Sequence, residues 1–96
     1  MTLSDLARTR REEIIRLAAR HGARNVRVFG SVARGDDSAS SDIGLLVELD
    51  PDRTLMDLGG LLMELQTLLC VRVDVATEEM LRPKVRTRAL ADAIPL

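Results

Sequence analysis

Aromatic residues are almost missing from this chain: Phe29 is the only one among 96 positions, with no Trp and no Tyr. Proteins that hold single-stranded nucleic acid stack its bases on aromatic platforms, and this chain offers at most one. A nucleobase would be left to aliphatic or backbone contacts, so base selectivity should be weak. Cys70 is the only cysteine and His21 the only histidine. An internal disulfide, a cysteine-built zinc site and a histidine metal pair are therefore excluded. Cys70 reads as a small buried hydrophobe. His21 reads as a structural residue at a helix end, where the dipole favours it. No apolar run approaches the ~18 residues that span a bilayer. The polar start, with Ser4, Asp5 and Arg8, is no secretory signal. A cytoplasmic protein with no membrane partner is expected. A net charge of −1 and a pI near 5.8 lack the basic excess of a nucleic-acid binder, so direct nucleic-acid binding is not expected.

What is present suits one folded domain over 1–96: 46% of residues are apolar and 30% charged. Leu3, Leu6, Ala7, Ile14, Leu17 and Ala18 recur at helical spacing and predict a helix from about 4 to 21, capped by Ser4 and stopped by Gly22. Asn25 to Phe29 reads as a strand with Val26 and Val28 on one face. Gly30 to Ser41 reads as a loop, and Ile43 to Leu49 as a nearly continuous apolar strand. Thr54 can cap a helix running to about Leu69, with Leu55, Leu58, Leu62, Leu65 and Leu69 on one stripe. Gly59 and Gly60 weaken that helix by about 1 kcal/mol each relative to alanine. Met56 and Met63 lie on another of its faces and suit an adaptable partner contact or a wider core contact with the first helix. Val71 to Val75 reads as a third strand. Pro83 opens a last helix to about Ala93, and Pro95 ends it. The order is α-β-β-α-β-α: an α/β fold with a small three-stranded mixed sheet and helices packed mainly on one face. Two basic runs, Arg8, Arg10, Arg11, Arg16 and Arg20, then Arg82, Lys84, Arg86 and Arg88, read as solvated helix faces.

Three features carry chemistry. Gly30-Ser31 directly follows a strand; a glycine there lets a phosphate approach backbone N–H groups, and the serine adds a donor. Alone, the pair is also an ordinary turn. Asp42 stands at the mouth of the second strand, where positions 42 and 44 share a face. Two carboxylates there would hold divalent cations through oxygen, but position 44 is glycine. Asp74 interrupts the valine alternation of the third strand. Taken alone, it reads equally as an edge-strand charge paired with Arg72.

Together these residues are specific. The run Val28-Phe29-Gly30-Ser31-Val32-Ala33-Arg34-Gly35, ten residues between Ser31 and Asp42, Ser41-Asp42-Ile43, and Asp74 within Val73-Asp74-Val75 resemble the signature of the DNA polymerase β-type nucleotidyltransferases. That signature is G-S, ten residues, D-x-D and a third acid on a later strand. Over about 10–96 the chain is similar to the minimal nucleotidyltransferases, the antitoxins of pairs whose toxin is a HEPN-domain ribonuclease.

The resemblance implies a mechanism. Two Mg²⁺ ions between three aspartates and the triphosphate of ATP align an in-line attack on the α-phosphorus. Gly30 and Ser31 would hold the outer phosphates, and Asp42 and Asp74 would be the catalytic metal ligands. Arg34 would contact phosphate or shape the loop as an ion pair. The acceptor would be a tyrosine of the HEPN toxin, which AMP inactivates. Gly44 departs from this pattern, because the missing aspartate commonly bridges both metals. A natural loss, an engineered change, or substitution by Asp36 or Asp37 would each account for it. The expected activity is therefore weakened or lost, and the alternative is an antitoxin or binding module that neutralises its partner by contact alone, with or without bound nucleotide. A second departure is Cys70, where the turn after the helix would accommodate glycine more easily.

Overall fold

A computed structural model describes residues 2–38 and 40–96. Ala39, inside the loop expected over 30–41, lies outside the described residues. The elements follow in the order helix α1 (Leu3–Thr9), helix α2 (Arg11–Arg20), strand β1 (Ala23–Phe29), one helical turn α3 (Ser31–Arg34), strand β2 (Ile43–Leu49), helix α4 (Leu55–Leu69), strand β3 (Val73–Ala76), a 3₁₀ turn (Glu78–Met80), helix α5 (Pro83–Asp92) and strand β4 (Ile94–Pro95). The sheet is mixed, with strand order β3-β2-β1-β4. β1 runs antiparallel to β2 and β4, and β3 runs parallel to β2 after the α4 crossover. The α/β class and the mixed sheet hold, but among the described residues the sheet has four strands rather than three. The fourth is the pair Ile94–Pro95 against Val28 and Arg27. It is too short to show alternation, and a proline is tolerated there because an edge strand can spare the missing N–H.

Polar capping explains how the N-terminal helix differs from expectation. It is two helices, broken at Arg10, whose backbone (φ −99°, ψ 17°) leaves the helical region. The cap is Thr2, not Ser4. The Thr2 hydroxyl accepts the Asp5 N–H at 3.0 Å, and the Asp5 carboxylate accepts the Thr2 N–H at 3.1 Å. This reciprocal box satisfies two backbone donors that a helix start leaves orphaned. Arg10 donates twice to Glu13, at 2.7 and 3.0 Å, at the start of α2.

Burial follows the sheet's pleat. Ile43, Leu45 and Val47 of β2 point into a core with Val28, Val73 and Val75, covered by Ile14 and Ala18 of α2 and by Leu58, Leu61, Leu65 and Leu69 of α4. Leu61 is fully buried, whereas Leu55, expected in the stripe, is exposed in the first turn. Leu46 is buried on the opposite face, where its cross-strand neighbours are Arg27 and Ala76. The 3₁₀ turn and α5 lie toward that side: Glu78 reaches Arg27 at 3.7 Å, and Arg86 of α5 donates to the carbonyls of Glu78 and Leu81. Helices therefore cover mainly one face, and the other is partly open.

The α2–α4 contact uses both of the unusual residues there. His21 ends α2, and its Nε2 lies 2.6 Å from a Glu64 oxygen. That hydrogen bond holds the Glu64 carboxyl below its ordinary pKa. The His21 ring also lies against Gly60, where an added Cβ would come within 3.1 Å of the ring. Cys70 is exposed rather than buried. It closes α4 in the left-handed region (φ 57°), the conformation glycine adopts most easily. Among the described residues no helix is long and apolar enough to cross a membrane.

Candidate functional site

The open sheet face carries the motif acids. In the cross-strand register Phe29 stands opposite Gly44, and Gly44 stands opposite Asp74. These three residues form one row facing away from α2 and α4. Alternation carries Asp42 to the same face, just before β2 begins. Asp74 is exposed. Among the described residues it makes no ion pair, and the Arg72 Nε instead meets Asp42 at 3.0 Å. Arg72 also donates to the carbonyl of Ser40, pinning the residues that lead into Asp42.

Position 44 is crowded as well as empty of charge. A Cβ added to Gly44 would lie 3.0 Å from the Phe29 carbonyl oxygen and 3.1 and 3.2 Å from two carbons of its ring. The single aromatic side chain therefore lies over the point where the motif would place its second carboxylate.

Next along the chain, Gly30 turns the strand into α3. Its φ of 80° with ψ of −152° is open only to glycine, and nothing stands within 4 Å of where its Cβ would be. Ser31 opens the helical turn, whose first N–H groups have no partner within the helix. Gly35, also at positive φ, closes it, and Asp36 N–H returns to the Ser31 carbonyl at 3.0 Å. The result is a tight, partly exposed turn directly after Phe29, adjoining the Phe29–Gly44–Asp74 row.

Arg34 is held by two carboxylates. It meets Asp92 at 2.6 Å and Asp36 at 3.2 Å, and these hydrogen bonds raise its pKa further. The Asp92 bond ties α3 to the end of α5. Between them lies a cleft of about 150 Å³ lined by Phe29, Gly30, Arg34, Val85, Arg88, Ala89 and Asp92. Asp92 is a site residue the sequence did not indicate. It lies 58 positions from Arg34, and no local pattern links the two.

The proposed substitute acids are engaged elsewhere. Asp36 pairs with Arg34, and Asp37 accepts the Leu3 N–H at 3.3 Å. Among the described residues no group of three or more His, Cys, Asp or Glu is placed to hold a metal ion. The donor set therefore does not fit a two-metal centre built on three carboxylates. Asp42 and Asp74 are the two motif carboxylates left on this face, and Asp42 is paired with Arg72.

The profile of the nucleotidyltransferase domain matches residues 11–96. The chain belongs to the nucleotidyltransferase domain family. This nucleotidyltransferase domain is 36% identical over 84 residues to a Methanocaldococcus jannaschii protein provisionally named a protein adenylyltransferase, covering 88% of the chain and 90% of the relative. It is 31% identical over 78 residues to the protein adenylyltransferase MntA of Thermococcus cleftensis, covering 81% and 79%. A solved structure provisionally described as a minimal nucleotidyltransferase superposes with a TM-score of 0.85 at 49% identity, over 97% of this chain and 95% of that one. A toxin–antitoxin crystal structure with AMP-PNP shares the fold, with a TM-score of 0.74 at 19% identity over 88% and 69%. The minimal nucleotidyltransferase fold expected from the motif is thus the fold observed.

Proposed function

We propose that this nucleotidyltransferase domain is the antitoxin of a toxin–antitoxin pair, and that it transfers AMP from ATP to a tyrosine of a HEPN ribonuclease toxin at a rate depressed by Gly44. The observation that carries this reading is the placement of Asp42 and Asp74 on the open sheet face, flanking position 44 and adjoining the Gly30–Ser31 turn. The names of its relatives, protein adenylyltransferases, support the choice of reaction and acceptor class. In such a transfer the tyrosine oxygen bonds to the α-phosphorus, the bond to the leaving pyrophosphate breaks, and the tyrosine proton leaves to a base or water. Gly30 and Ser31 supply backbone and hydroxyl donors for phosphate. A bound Mg²⁺ supplies charge neutralisation. Asp42 and Asp74 are the residues that would hold it, and ATP is the substrate that brings it.

A second reading, neutralisation by contact alone, is favoured by two features: Arg72 occupies Asp42, and the Phe29 ring covers position 44. Calorimetric titration with ATP tests the metal site on which the adenylyltransferase reading depends. The adenylyltransferase reading predicts weak ATP binding that Mg²⁺ strengthens and that Asp42→Asn and Asp74→Asn each render Mg²⁺-independent. ATP affinity that is the same with and without Mg²⁺ in the unaltered chain would instead support the contact-only antitoxin.

A further inference from the structure

The basic run on the last helix separates into residues with different tasks. Arg86 is half-buried and structural: its Nε donates to the Glu78 carbonyl at 2.9 Å and its Nη2 to that of Leu81 at 3.2 Å. Lys84 is exposed and lies outside the cleft. Arg88 lines the cleft across from Gly30, together with Phe29, Arg34 and Asp92. Among the described residues Arg88 makes no ion pair, whereas the charge of Arg34 is answered by Asp92 and Asp36. The cleft therefore holds one compensated cation and one uncompensated one. The space above Gly30 is open, because a Cβ there would meet nothing within 4 Å.

We infer that Arg88 is the phosphate-binding cation of this site: it receives the outer phosphates of a nucleoside triphosphate that runs from the Asp42–Asp74 face over Gly30 into the α3–α5 cleft. The inference rests on the nucleotide-binding part of the function proposed above, not on adenylyl transfer. Its physical basis is a difference between two arginines. For Arg34 to bind phosphate it must give up two carboxylates already within hydrogen-bond distance. Arg88 exchanges only water for phosphate and can present two N–H groups to one phosphate group. The Arg34–Asp92 bridge then acts as a strut that fixes α5 against α3 and sets the distance between Arg88 and Gly30.

The test uses the full chain and its Arg88→Gln, Arg88→Lys and Lys84→Gln variants, titrated calorimetrically with ATP and, separately, with inorganic tripolyphosphate. Arg88 is exposed and unpaired, so the variants should keep the circular dichroism and melting temperature of the parent. Arg88→Gln should weaken both ligands roughly tenfold, the worth of a hydrogen bond to a charged group. Arg88→Lys should recover part of that loss, and Lys84→Gln, which removes the same charge from the same helix, should change neither affinity. ATP binding by Arg88→Gln equal to the parent, or an equal loss in Lys84→Gln, would overturn the role of Arg88 while leaving the proposed function standing. Binding of tripolyphosphate through Arg88 without any AMP transfer to a toxin would leave Arg88 in place and remove the adenylyltransferase reading. A parent chain that binds neither ligand would overturn both.

Discussion

At the scale of residues, Phe29 and Gly44 form a coupled pair. A glycine near the start of a buried strand loses side-chain contacts, and an aromatic ring from the neighbouring strand covers the gap. The consequence is that a carboxylate cannot be returned to position 44 without displacing that ring. Gly44→Asp should cost about 1–3 kcal/mol in the absence of metal, through crowding against Phe29 and repulsion from Asp42 and Asp74. Adding Phe29→Leu should recover part of this, so the two substitutions should be non-additive in urea denaturation. Strict additivity would show that the ring does not limit position 44. Addition of Mg²⁺ should favour the aspartate variant, because an ion bound only by the folded protein stabilises it. The position of Asp42 at the mouth of β2 was legible from spacing, but its pairing with Arg72 was not. Residues 42 and 72 meet only because β2 and β3 lie side by side in parallel, a fact of topology rather than of local pattern.

At the scale of elements, the two glycines of α4 look alike in sequence and differ in place. Gly59 is exposed, with nothing within 4 Å of its missing Cβ, whereas Gly60 admits the His21 ring. Gly59→Ala should therefore stabilise by about 1 kcal/mol, the ordinary helix preference for alanine. Gly60→Ala should show no such gain, because the ring and its bond to Glu64 must shift. Thermal melts of the two variants, with Gly59→Ala higher, check this, and equal gains would contradict the packing role of Gly60. The long helices and strands were readable because burial marks them: a nearly continuous apolar run along β2 and a period of 3.6 along α4. The short elements were not. The turn of α3 spans Ser31–Arg34 and β4 spans two residues, too few to show any period. The break at Arg10 interrupts an apolar repeat that continues on both sides. The Thr2–Asp5 capping box is the signal for the helix start, and Ser4, also a capping residue type, competes with it in the sequence.

At the scale of the whole molecule, the motif acids and the exposed methionines of α4 lie apart. Met56 and Met63 are 86% and 66% exposed on α4, on the opposite side of the sheet from the Asp42–Asp74 face. Their exposure removes the alternative that they belong to a wider core. Met56→Glu with Met63→Glu should weaken binding to the toxin partner and leave the melting temperature within a few degrees of the parent. Unchanged toxin affinity would place the partner elsewhere. The central claim, that this domain is an adenylyltransferase held back by the carboxylate absent at position 44, is tested most directly by mass. The parent and Gly44→Asp proteins are each incubated with ATP, Mg²⁺ and a cognate HEPN toxin, and the intact mass of the toxin is followed over time. The account predicts slow addition of AMP by the parent and much faster addition by Gly44→Asp. Equally rapid addition by both would contradict it.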